Sequence, residues 1–133
     1  MLLRSLMDKT FAVTAGAIAT LAFAPFSYPL LIIISIATLY LLTHKTNSTF
    51  LTGWLYGLGY FTAGVSWVYV SIHSHGGMGA LTAAVMTLAF TGALATLFGA
   101  QIWLYKRLFN EGSAPGFIAI WILFEWMRSW LLT

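Results

Sequence analysis

The sequence predicts an all-α fold, a multi-pass transmembrane helical bundle of about five membrane helices with a cytoplasmic N-terminus. Three observations carry this. Hydrophobic residues make up 60% of the 133 positions and charged residues 7%, with a mean hydropathy of +0.89, whereas soluble domains are about one quarter charged. Apolar segments at about 11–24, 30–42, 50–72, 79–104 and 117–132 are separated by short polar or Pro/Gly-bearing turns. Arg4, Lys9, Lys45, Lys106 and Arg107 all fall on one side of the alternating path, and the turns around Pro25 and His73 hold no Lys or Arg. That positive-inside pattern places the start in the cytoplasm and the Pro25 turn, the turn at 73–77 and the end at Thr133 outside.

Residues 1–10 form a short polar start with Arg4, Asp8 and Lys9, followed by an apolar run rich in Ala and Thr. Alone this imitates a secretory signal, with a basic start, an apolar stretch and the small-residue triplet Ala22, Phe23, Ala24. Pro25 directly after the triplet, and the membrane character beyond it, favour a retained first span. Pro25 and Pro29 bracket a turn, since proline removes a donor and pushes its predecessor out of the α region. The run at 30–42 contains three consecutive isoleucines and ends at His44 and Lys45. Both runs are short, about 20 Å each by helical rise, so they are either a pair dipping partway into the bilayer or two spans in a thinned one.

The segment 50–72 carries no charge over its 23 residues, enough for a helix of about 34 Å. Gly53, Gly57 and Gly64 follow at spacings of four and seven, a small-residue stripe that lets another backbone approach. Trp67 and Tyr69 sit near its far end as interfacial anchors. The helix is expected to break at His73, Ser74, His75, Gly76 and Gly77. In 79–104, Gly92 and Gly99 form a matching stripe, so the third and fourth spans are expected to pack through these glycines. Lys106, Arg107, Asn110 and Glu111 make the next polar connection, closed by Gly112 and Pro115.

Glu125 and Arg128 are the charges within the last apolar run. Each costs about 2.5 to 3.5 kcal/mol at mid-bilayer, so neither is expected to face lipid. Three residues apart, they share a helix face and can neutralise each other. One reading makes them a polar spot that grips a lipid headgroup or orients an attached domain. The other makes them an internal ion pair that fixes helix packing. Trp121, Trp126 and Trp130 around them point to an interface more than to a pocket.

His73 and His75 lack the carboxylate or cysteine needed to complete a zinc shell, so no metal and no cofactor is expected. Asp8 and Glu111 fall on the opposite side of the membrane, so a Ser-His-acid triad at Ser71 or Ser74 needs the distant Glu125. The six Lys and Arg residues are too few and scattered to neutralise a row of phosphates, which excludes nucleic acid as a partner. With no cysteine in the chain, disulfides, thiolate metal sites and thiol nucleophiles are excluded as well.

LAFAPFSYPLL at 21–31, GWLYGLGYFTAGVSWVYVSIHSHGGM at 53–78 and FEWMRSWLLT at 124–133 together resemble the N-terminal membrane part of bacterial apolipoprotein N-acyltransferase. The middle piece, with its W-V-Y-V-S-I core before a double glycine, is the most specific. One departure is His75, where the family usually has an aromatic residue. The resemblance implies a multi-pass protein of the bacterial inner membrane that anchors an extracytoplasmic nitrilase-like domain among about eight spans. It also implies transfer of a fatty acyl group from a membrane phospholipid to a diacylglyceryl-modified lipoprotein, through a thioester on a cysteine assisted by a glutamate and a lysine. None of those catalytic positions matches a residue here. Residues 1–133 thus read as an N-terminal transmembrane region, a scaffold fragment without the catalytic domain and inactive alone. The Glu125 to Arg128 face, with Trp67, Tyr69, His73, Gly76 and Gly77, supplies the candidate lipid or domain contacts. The competing reading is a small non-enzymatic membrane protein, an assembly factor or oligomeric pore, although no polar stripe lines a channel along any one span.

Overall fold

The computed structural model describes residues 1–23, 26–110 and 112–132. Ala24 of the small-residue triplet, Pro25, Glu111 and the end at Thr133 lie outside them. The described residues form six α-helices with short connections and no strand.

Helix α1 (Leu2–Ala19) starts well before the apolar run and passes into a 3₁₀ turn at Thr20–Ala22. Leu2, Leu3, Leu6 and Met7 are good helix formers and nothing among residues 2–10 breaks a helix, so the expected polar start is the first half of α1. Apolarity locates the buried part of a helix, not its beginning. Helix α2 (Pro29–Lys45) opens with Pro29, whose missing N–H costs nothing in the first turn, and closes with His44 and Lys45 at its negative dipole end.

The expected single helix over 50–72 is divided. Helix α3 (Thr49–Gly64) ends at Gly64, and Val65 has φ −115° and ψ 25°. Gly and a β-branched residue in succession are poor helix formers, and a one-turn helix α4 (Trp67–Val70) follows. The chain then widens into a π-helical turn at Ser71–His75, with Gly76 N–H donating to Ser71 O at 3.1 Å. Gly77, at φ +64°, takes the left-handed conformation that ends it.

Helix α5 (Ala80–Leu108) runs four residues past the expected end at 104 to include Lys106 and Arg107. By length and composition it is long and apolar enough to cross a membrane, while α2 is an apolar helix of 17 residues. Helix α6 (Ala114–Leu131) is capped by Ser113, whose hydroxyl oxygen accepts from Gly116 N–H at 3.2 Å.

Helix α3 is the centre of the bundle, between α1 and α5. On one side a Cβ at Gly53 would strike the Phe98 carbonyl, and one at Gly57 would lie 2.9 Å from Ala95 Cα. On the opposite side a Cβ at Gly59 would strike the Val13 carbonyl, and one at Gly16 of α1 the Tyr56 carbonyl. Helix α3 therefore meets two backbones at once, which only Cβ-free positions on both faces permit. The core between these helices is aromatic, with Tyr56, Phe98 and Tyr105 buried. Tyr56 meets Phe98 at 5.2 Å and Trp121 at 6.2 Å between ring centroids, both edge-to-face. Tyr40 Oη donates to Gly112 O at 3.1 Å and Tyr105 Oη to Ser113 O at 3.2 Å, holding the turn before α6 beside α2 and α5.

Candidate functional site

The polar cluster within the bundle is built where α6 crosses α5. Side chains on a helix lean toward its N-terminus, so Arg128, near the end of α6, reaches back into the core instead of outward. It is 6% exposed, and its guanidinium carbon lies 4.2 Å from the Phe98 ring centroid and 5.8 Å from that of Trp121. One guanidinium nitrogen donates to Gln101 Oε1 at 3.0 Å, and the other is paired with Glu125. Two aromatic faces, an amide oxygen and a carboxylate thus compensate a charge removed from water. Glu125 is the outward member, with 59% of its side chain exposed. Gln101 is 1% exposed, and its Nε2 has no acceptor among the described residues.

The other expected contacts gather at the far end of α3. Trp67 is 63% exposed. The rings of Tyr69 and His73 stack at 5.7 Å between centroids, and His73 Nδ1 donates to Met78 O at 3.0 Å, closing the turn that contains Gly76 and Gly77. Among the described residues no three His, Asp or Glu side chains gather in a metal-binding group. No hydrogen bond or ring contact joins this turn to the Glu125 and Arg128 cluster among the described residues. The tryptophans of α6 divide, with Trp126 and Trp130 exposed and Trp121 packed against Tyr56, Phe98 and Phe117. Of the packing glycines, Gly53 and Gly57 meet α5, and Gly99 sits under the Phe50 ring. Gly92 accepts from Trp54 Nε1 at 3.0 Å through its carbonyl, and Gly64 lies nearest Thr20 of the 3₁₀ turn, away from α5.

The family model described as the apolipoprotein N-acyltransferase N-terminal domain matches residues 15–133. The chain belongs to this family. The apolipoprotein N-acyltransferase of Pseudomonas aeruginosa (strain LESB58) is 43% identical over 129 residues, covering 92% of this chain and 25% of that protein. That of Pseudomonas syringae pv. tomato is 39% identical over 129 residues, covering 92% and 26%. That of Photobacterium profundum is 43% identical over 139 residues, covering 97% and 26%. The chain spans about a quarter of the length of these apolipoprotein N-acyltransferases and corresponds to their N-terminal domain.

Sequence reasoning missed several residues of this domain. Gln101 was visible as a lone amide in an otherwise apolar segment, the kind of position that marks an internal polar contact. Phe98 had no distinguishing signal among ten phenylalanines. Gly16 and Gly59 stood outside the recognised stripes because their spacing becomes meaningful only once α1 and α3 are known to be neighbours.

Proposed function

We propose that this domain is the membrane scaffold of an apolipoprotein N-acyltransferase, crossing the bacterial inner membrane about five times with its N-terminus in the cytoplasm. The whole enzyme moves a fatty acyl group from a phospholipid to the diacylglyceryl-modified cysteine of a lipoprotein, and the scaffold sets the height and lateral access of a nitrilase-like domain on the outer side. The observation that carries this reading is the division of the surface. Leu81, Val85, Leu88 and Phe90 of α5 and Ile118, Ile122 and Trp126 of α6 are exposed, a display that suits hydrocarbon and that soluble proteins avoid. Apart from the buried Arg128, the basic residues, by contrast, collect at the ends of α2 and α5 and in the first half of α1. Arg128, held on Gln101 and the Phe98 ring, ties α6 to α5. Without a cysteine the 133 residues form no acyl-thioester.

Absence of native cysteine makes topology directly testable. Ser74→Cys and Asn47→Cys in the chain expressed in bacteria should differ toward a membrane-impermeant maleimide, with Ser74→Cys labelled in intact spheroplasts and Asn47→Cys only after lysis. Labelling of both in intact cells would refute the topology, and thioester formation on phospholipid by the purified chain would refute the scaffold role.

A further inference from the structure

A groove of about 730 Å³ lies between the first turns of α1 and the turn joining α2 to α3. Three chemistries meet in it. Arg4, Lys9 and Lys45 line it with Asp8 as the one acid. The three basic side chains are exposed, and no ion pair among the described residues engages any of them. Ser48 also lines it as the N-cap of α3, yet its hydroxyl makes no capping bond. The N-terminal end of α3, a 16-residue helix, thus borders the groove at Ser48, Leu51 and Thr52 without a side-chain cap. Leu51 and Leu55, one turn apart on α3, with Leu2 of α1, supply an apolar wall.

We propose that this groove binds the headgroup of an anionic phospholipid, its phosphate between Arg4, Lys9, Lys45 and the α3 N-terminus and its upper acyl chain along Leu51 and Leu55. The proposal rests on the membrane reading above and adds a lipid site on the cytoplasmic side, at the opposite end of the bundle from the expected acyl transfer. Charge and wall together select the ligand. Three bases against one acid disfavour a zwitterionic headgroup, whose charges cancel, and favour one of net negative charge. A free phosphate has no use for three leucines, whereas a diacylglycerol phosphate needs both halves of the groove.

The test is native mass spectrometry of the full chain released from nanodiscs of mixed phosphatidylglycerol and phosphatidylcholine. Retained phosphatidylglycerol should exceed phosphatidylcholine at least tenfold and fall about fivefold for each of Arg4→Gln, Lys9→Gln and Lys45→Gln. Lys9→Arg with Lys45→Arg should keep it. Arg107→Gln removes a charge expected at the same membrane face, outside the groove and beside Trp103 at 5.3 Å, and should leave retention unchanged. Circular dichroism checks that each variant stays helical. Equal retention of both lipids, or an Arg107→Gln loss as large as that of Lys45→Gln, would overturn the site. A phosphate adduct formed in millimolar inorganic phosphate, with no lipid adduct retained at all, would also overturn it, in favour of a free anion. A chain that enters the nanodisc without preference defeats this proposal alone, while a chain that never enters it defeats the membrane reading as well.

Discussion

Tyr56 Oη lies 2.8 Å from Ser35 Oγ, and Ser35 Oγ lies 2.5 Å from the carbonyl oxygen of Ala15, so one hydroxyl pair ties α3, α2 and α1 together. A carbonyl only accepts, so Ser35 gives its proton to Ala15 and Tyr56 donates to Ser35. Ser35 is 1% exposed and Tyr56 fully buried.

The direction of that relay makes the two deletions unequal. Tyr56→Phe removes one bond and leaves Ser35 paired with Ala15, a loss of about 0.6 kcal/mol for a side-chain hydrogen bond between packed helices. Ser35→Ala leaves the Tyr56 hydroxyl buried without an acceptor and should cost about 1–3 kcal/mol. Adding Tyr56→Phe to Ser35→Ala should then recover stability, as measured by unfolding in mixed micelles. If the double variant is less stable than Ser35→Ala, the relay runs otherwise.

Two glycines of α3 and α5 should respond in opposite directions to alanine. At Gly59 the new methyl meets the Val13 backbone, which cannot swing aside, and Gly59→Ala should part α1 from α3 with a loss of several kcal/mol. At Gly92 the methyl meets only the Trp54 ring at 3.6 Å, and Gly92→Ala should be neutral or stabilise by up to about 1 kcal/mol through helix propensity. Thermal unfolding of the two variants in one detergent compares them directly.

The polar cluster yields a substitution that should help. Gln101→Glu removes the amide hydrogens that have no acceptor and gives Arg128 a carboxylate, so the melting temperature should equal or exceed that of the parent. Gln101→Leu strands an Arg128 donor and should cost about 1–3 kcal/mol. Glu125→Gln, at the exposed end of its pair, should cost under about 1 kcal/mol. A Gln101→Glu variant less stable than Gln101→Leu would show that the buried charge is balanced in some other way.

Gly77 and Gly79 isolate a backbone effect, because a Cβ at either meets nothing within 4 Å. Gly77 has φ +64° and Gly79 φ −59°. Gly77→Ala should therefore cost about 1–2 kcal/mol and Gly79→Ala none. Hydrogen exchange over residues 71–79 should quicken in Gly77→Ala alone.

The helical class and the family were legible in the sequence, because apolar composition and three long motifs are local properties. The start of α1 was misjudged for a local reason too, since Leu and Met among charges continue a helix that hydropathy alone does not register. The split of 50–72 had its signal in Gly64 and Val65, but both also suit a packed membrane helix, and the choice between a stripe and a stop depends on neighbours. Arg128 was recognisable as an internal charge, whereas Glu125, expected inside with it, is the exposed member of the pair. Gln101 and Phe98 were not assigned to them, because 27 and 30 residues of separation carry no geometry until α5 and α6 cross.

The chain alone determined the helical class and the enzyme family, because these follow from side-chain type and order. Only the folded bundle decided that α3 is wedged between two backbones, that Arg128 turns inward onto Phe98, and that Arg4, Lys9 and Lys45 border one groove. Those facts come from helix rotation and close approach, which are set by steric fit among several helices at once and leave no periodic mark in any one of them.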